Sequence, residues 1–205
     1  MSTVEDLIET LAYEASLDLS PADTPDVGIV MGSDSDLDVM RGAATALEEL
    51  GFSEQSSFEN PPADRFTYET FVISAHRTPD LMYSYASAAM DRGIEIIIAG
   101  AGGKSADLPN MTASIAYPLP VIGVPVQEKS VDSVIGMPTG APIVAVDAGK
   151  SFNAGLSAGQ FLSLAHPPLQ QALEAYHENL QEQVGVASLR LHEEGIEKYV
   201  KNHEC

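Results

Sequence analysis

The chain has 205 residues, 44% of them apolar, enough for one domain with a sizeable core. Thirty acidic against ten basic residues give a net charge of −20, and no Lys or Arg precedes Arg41, so a basic face for nucleic acid is excluded. The single cysteine, Cys205, excludes a disulfide framework within the chain, and no apolar run approaches the roughly 20 residues that span a bilayer.

The N-terminal stretch puts Val4, Leu7, Ile8, Leu11 and Ala15 on one face. This predicts an amphipathic helix over residues 3–19, for packing or for contact between subunits. Its acidic start lacks the basic region of a signal peptide, which points to a cytoplasmic protein. A charge of −20 suggests disorder, but the apolar content argues for a folded chain. A surface adapted to high salt reconciles the two, because counter-ions screen self-repulsion. That expectation requires a melting temperature that rises with added KCl.

A Pro/Asp linker, SPADTPD, spans residues 20–26. Val27 to Met31 is a short apolar run, the pattern of a buried parallel strand. The turn Gly32-Ser33-Asp34-Ser35-Asp36 follows, then a helix over 37–50 with Leu37, Met40, Ala44, Leu47 and Leu50 at helical spacing, stopped by Gly51. Residues 53–69 are polar and broken by Pro-Pro, predicting an exposed loop that leads into a second strand, Thr70 to Ile73. Pro79 opens a helix to about Asp91, where its missing N–H costs nothing, and Gly93 ends it. Ile94 to Ala99 is a third strand, Leu108 to Ala116 a helix, and Val121 to Val124 a fourth strand. A short helix over 131–136 and a fifth strand, Ile143 to Val146, come next. Lys150 to Ala165 is a small-residue helix suited to close packing. Residues 168–201 form a long polar helix weakened at Gly185 and Gly195.

Strands alternating with helices over short connections predict an α/β fold with a parallel, doubly wound sheet. The chain divides into a helical extension and linker (1–26), an α/β domain (27–165) and a C-terminal helix (166–205).

Three strand ends carry turns of special composition: GSDSD at 32–36, SAHRTP at 74–79 and AGAGG at 99–103. In a parallel sheet all three lie on one edge, where ligands bind. Ser33 and Ser35 sit at a helix start, whose free N–H groups attract an anion. Asp36 can cap that helix or accept hydrogen bonds from ribose hydroxyls, while Asp34 reads as a solvated loop charge. Arg77 is one of five arginines in a strongly acidic chain and stands near Ser74, which suggests either a phosphate site or an ion pair with an acid. His76 is the only histidine in the first 165 residues, and imidazole suits proton transfer at neutral pH. The glycine turn lets backbone approach a ligand, and its N–H groups can hold a carboxylate; Lys104 after it adds a cation or faces solvent. His166, His177, His192 and His203 read as surface residues, and no cluster has metal-ligand spacing.

VMGSDSD, SAHRTPD, IIIAGAGG with LPNM shortly after, and PVIGVPV, in this order, closely resemble the class I aminoimidazole ribonucleotide carboxylase family of purine biosynthesis. The resemblance covers residues 27–164. It implies a flavodoxin-like three-layer α/β/α sandwich in a homo-octamer with sites at subunit contacts, the C-terminal helix packing on a neighbour. It implies an isomerase that interconverts N5-carboxyaminoimidazole ribonucleotide (N5-CAIR) and 4-carboxyaminoimidazole ribonucleotide (CAIR) without a cofactor. By the same resemblance His76 is catalytic, Ser33 contacts the substrate carboxylate, and Ser35, Ser74 and Arg77 hold the 5′-phosphate. Asp36 binds the ribose, and Ala101 and Gly102, with Gly103 beside them, bind carboxylate through the backbone. Two departures stand out. Where the family pattern has GGAAHLPGM, this chain has GGKSADLPNM, with Asp107 nearest the missing second histidine; and the segment from Val126 to Pro142 is shorter than the family's. A direct carboxylase that uses CO2 is the neighbouring chemistry, although that group carries SAHK where this chain has Arg77. A non-catalytic nucleotide-binding module of the same fold is the reading from another class.

Overall fold

The computed structural model describes residues 3–56 and 65–203. Among the described residues six strands form one sheet: β1 (Val27–Met31), β2 (Ser53–Glu54), β3 (Thr67–Val72), β4 (Ile96–Ala101), β5 (Val121–Pro125) and β6 (Val144–Ala145). Their order is β2-β3-β1-β4-β5-β6, and every pairing is parallel. From β1 the chain runs to the edge strand β2, comes back to β3 beside β1, and then crosses to β1's other side with β4. That reversal opens a crevice at the carboxyl ends of β1 and β4.

The helices are α1 (Thr3–Ala15), α2 (Leu37–Glu49), α3 (Pro79–Ala88), α4 (Leu108–Ile115), α5 (Val131–Ile135), α6 (Ser151–Ser163), α7 (Pro167–Glu194) and α8 (Ile196–His203). They cover both faces, which is why β1, β4 and β5 are buried along their whole length. Ile96 and Ile98 join Met40, Leu47 and Ala154 on one face, while Ile97 and Ala99 join Leu81, Tyr85 and Leu108 on the other. The result is the expected three-layer α/β/α sandwich. The small residues Ala154, Gly155, Ala158 and Gly159 of α6 are buried, and α6 packs against α2.

Several boundaries differ from the sequence expectation. Ser53–Glu54, expected in an exposed loop, is an edge strand paired with Thr67–Tyr68, and β3 begins three residues early. The polar residues Thr67 and Glu69 are inside the sheet because each has partners. Thr67 donates its N–H to Asp26 Oδ2 (2.8 Å) and its hydroxyl to Gln55 Oε1 (2.7 Å). Glu69 takes a bidentate pair from the buried Arg92 at 2.8 and 2.6 Å. The rest of the expected loop, 57–64, lies outside the described residues, as does Cys205. β4 starts two residues late and absorbs Ala99–Ala101, so the turn begins at Gly102.

Helix α1 ends at Ala15, earlier than expected, and is fastened by Arg92 Nε, which donates to Glu14 Oε2 at 2.9 Å. The long C-terminal helix is split: Gly185 is accommodated within α7, but Gly195 takes φ +74°, a left-handed conformation that ends it. His166, expected at the surface, is largely covered, with Arg65 Nη2 3.4 Å from its Nδ1 and Glu95 3.0 Å from its Nε2.

Candidate active site

Fifteen residues line a cleft of about 450 Å³ at the carboxyl ends of β1, β3 and β4. All nine positions singled out in the sequence stand there: Ser33, Ser35, Asp36, Ser74, His76, Arg77, Ala101, Gly102 and Gly103. The sheet register explains it. Met31 of β1 pairs with Val72 of β3 and with Gly100 of β4, so the three turns leave the sheet at one level.

The first turn is a 3-10 segment, Asp34–Asp36, capped by Ser33, whose Oγ accepts from the Ser35 N–H. Ser35 Oγ donates to Ser33 Oγ at 3.1 Å, and Ser33 Oγ donates to Asp34 Oδ1 at 3.0 Å. Asp34 also accepts from the Ser35 N–H at 3.0 Å. It is exposed, as the sequence suggested, and also accepts within its own turn. Both hydroxyls are exposed or half-exposed, on bonds a ligand can exchange.

Asp36 stands at the N-cap position of α2 but makes no side-chain cap bond. Its side chain is buried and turns to the glycine turn, where the backbone N–H of Gly102 donates to it, as does Ser33. Gly102 permits this approach: a Cβ there would stand 2.9 Å from Asp36 Oδ1. Burial pushes the Asp36 carboxyl above its ordinary range, against the two backbone N–H groups and the charge of Arg77.

Arg77 is held in place. Its Nη2 donates to the Gly32 carbonyl at 3.1 Å and its Nε to Ser74 Oγ at 3.3 Å. Ser74 Oγ also accepts the Arg77 N–H at 3.2 Å. Thr78 closes the same turn by donating its hydroxyl to the Ser74 carbonyl at 3.1 Å and accepting the Ser74 N–H at 3.0 Å. No carboxylate among the described residues pairs with Arg77. The guanidinium thus keeps unused donors facing an exposed cleft, the arrangement expected of an anion site rather than of a structural ion pair. Lys104 is exposed and does not line the cleft.

His76 projects into the opening, with its side chain 62% exposed and its Nε2 2.9 Å from Asp107 Oδ2. Asp107, Gln127, Ser105 and Leu108 line the cleft without having been chosen from the sequence as site residues. Asp107 carried a signal, because it stands nearest the family motif's second histidine, which has no counterpart here. Gln127 carried none, since it reaches the cleft from the loop after β5.

The sequence profile of the AIR carboxylase family matches residues 26–183, most of the chain and all of the cleft. The chain belongs to the AIR carboxylase family. Among its relatives, the N5-carboxyaminoimidazole ribonucleotide mutase of Thermotoga maritima is 42% identical over 186 residues, covering 88% of this chain and 99% of the relative. The mutase of Mycobacterium tuberculosis is 44% identical over 180 residues, covering 84% and 94%. The phosphoribosylaminoimidazole carboxylase of Schizosaccharomyces pombe is 42% identical over 194 residues; the match takes 91% of this chain but 32% of that one. Among solved structures, Treponema denticola PurE superposes with a TM-score of 0.66 at 25% identity, covering 82% of this chain and 98% of that one. The family match thus spans the sheet and every residue that lines the cleft, and the solved neighbour shares the fold.

Proposed function

We propose that this family member is an isomerase of de novo purine biosynthesis that interconverts N5-CAIR and CAIR. The observation that carries the reading is the convergence of His76, the Ser74–Arg77 pair, Asp36 and the glycine turn on one cleft, in a chain 42–44% identical to proteins named as that mutase.

The proposed placement follows the chemistry of each wall. Arg77, Ser74 and Ser35 hold the 5′-phosphate, for which a preoriented guanidinium and two hydroxyls are suited. Asp36 accepts the ribose hydroxyls. Ser33 and the backbone of Ala101, Gly102 and Gly103 receive the carboxylate. His76 gives a proton to the carbamate nitrogen as its C–N bond breaks and CO2 departs. C4 of the ring attacks the held CO2, and His76 takes the C4 proton. The imidazole is acid and then base, and ends each turnover as it began. CO2 kept against C4 reacts as a neighbour rather than as a dilute solute.

The chain is also proposed to be cytoplasmic and to work as a homo-octamer with its C-terminal helix on a neighbouring subunit. Val184, Leu189 and Ile196 on α7 and α8 are exposed, which is consistent with a partner surface. No helix among the described residues is long and apolar enough to cross a membrane.

The test is His76→Asn assayed with N5-CAIR and, separately, with the uncarboxylated ribonucleotide plus bicarbonate. The expected result is that the wild-type chain converts N5-CAIR without bicarbonate, and that the variant binds nearly as well but loses about 10²- to 10⁴-fold in turnover. Wild-type turnover in the variant refutes the role of His76. Efficient use of the uncarboxylated substrate plus CO2 moves the protein to the direct carboxylases.

A further inference from the structure

Asp107 has no role in the scheme above, yet its geometry is specific. It occupies the N-cap position of α4 without a side-chain cap bond. A carboxylate at a helix start ordinarily turns back onto the free N–H groups. Here it reaches across the cleft to His76 Nε2 at 2.9 Å, over 31 positions of sequence. It gives the exposed imidazole its only hydrogen bond among the described residues.

We propose that Asp107 is the positioning residue for His76: it holds the imidazole with its proton on Nε2 and leaves Nδ1 as the nitrogen that exchanges protons with the substrate. This rests on the mutase reading and deepens it by naming the working atom. A carboxylate can only accept, so Nε2 keeps its proton whichever form the ring takes. Nδ1–H then gives its proton to the carbamate nitrogen, the C–N bond breaks with its electron pair staying on nitrogen, and the former carboxylate leaves as neutral CO2. After C4 attacks CO2, the C4 proton passes to Nδ1. The ring needs no rotation and no tautomer exchange between the two steps, because both use one nitrogen.

The charge balance of the cleft supports this. Among the described residues, Arg77 is the only permanently cationic side chain on its walls, and Asp36 is already a buried carboxylate there. A second carboxylate facing an anionic substrate weakens binding unless a cation neutralises it. The imidazolium of the acid form does so at 2.9 Å.

The experiment uses the full chain labelled with 15N-histidine, as wild type, Asp107→Ala and Asp107→Asn, read by ring nitrogen chemical shifts and by N5-CAIR kinetics. Wild type is expected to show neutral His76 as a single Nε2–H tautomer, and Asp107→Ala a mixture. In Asp107→Ala kcat is expected to fall about 10- to 100-fold while KM changes less than about threefold. Asp107→Asn, whose side-chain oxygen accepts the same Nε2–H, retains the tautomer and regains part of the rate. A wild-type Nδ1–H tautomer, an unaltered tautomer in Asp107→Ala, or a kcat within about twofold of wild type overturns the proposal. If the wild-type chain does not convert N5-CAIR, the mutase reading falls, while the tautomer comparison still tests the Asp107–His76 pairing.

Discussion

Asp36→Asn separates binding from folding at this cleft. An ionised carboxylate offers about four acceptor positions. The N–H groups of Gly102 and Ser33 take two, leaving two for the ribose hydroxyls. Asparagine is nearly isosteric but keeps one oxygen, so it cannot serve all four donors. Hydrogen bonds to a charged acceptor contribute about 1.5–3 kcal/mol, against about 0.5–1.5 for neutral ones. Weakening two such bonds costs about 2–3 kcal/mol of substrate binding, a rise in KM of about 30- to 150-fold. Folding responds differently. Burial disfavours the charged form of Asp36, so the neutral amide removes a cost while losing one backbone donor, and stability stays within about 1 kcal/mol of wild type. Initial rates over a range of N5-CAIR concentrations give KM, and urea unfolding gives stability. A KM within threefold of wild type, or a loss above about 2 kcal/mol in stability with KM unchanged, refutes the assignment of Asp36 to the ribose.

Two further outcomes concern the frame around the site. Arg92 is fully buried and paired with Glu69 and Glu14, so Arg92→Met strands a buried carboxylate and should destabilise the fold by about 3–5 kcal/mol, measured by urea unfolding; Glu69→Gln in the same chain should recover part of this. Burial pushes the Asp26 carboxyl up to about 6 from an ordinary 3.8, against the Thr67 N–H and Arg65. The folded state therefore holds that proton more tightly than the unfolded chain. The contribution is fully present below about pH 4 and is lost as pH rises through about 6. Asp26→Asn should then stabilise the protein above pH 7, by up to about 3 kcal/mol less the lost contact with Arg65, with the gain gone near pH 4. A variant less stable than wild type at pH 7.5 contradicts this.

The sequence by itself determined the strands of the centre and the cleft's main parts. Strands covered on both faces read as short unbroken apolar runs, so β1, β4 and β5 were visible as Val27–Met31, Ile94–Ala99 and Val121–Val124, the first without boundary error and the others within two residues. Parallel winding then placed Ser33–Asp36, Ser74–Arg77 and the glycine turn on one edge without any knowledge of contacts. The tertiary structure decided whatever depends on a distant partner. Ser53–Glu54 has no strand pattern and is a strand only because β3 lies beside it. Thr67 and Glu69 look like loop residues until Asp26, Gln55 and Arg92 satisfy them. Asp36 is indistinguishable from a helix cap until the Gly102 N–H draws it into the cleft. Asp107 and His76 lie 31 positions apart, on different turns, and only the fold brings a carboxylate to the imidazole. Local pattern reports which face of an element is buried; it carries no record of which polar groups, far apart in the chain, find each other once the backbone closes.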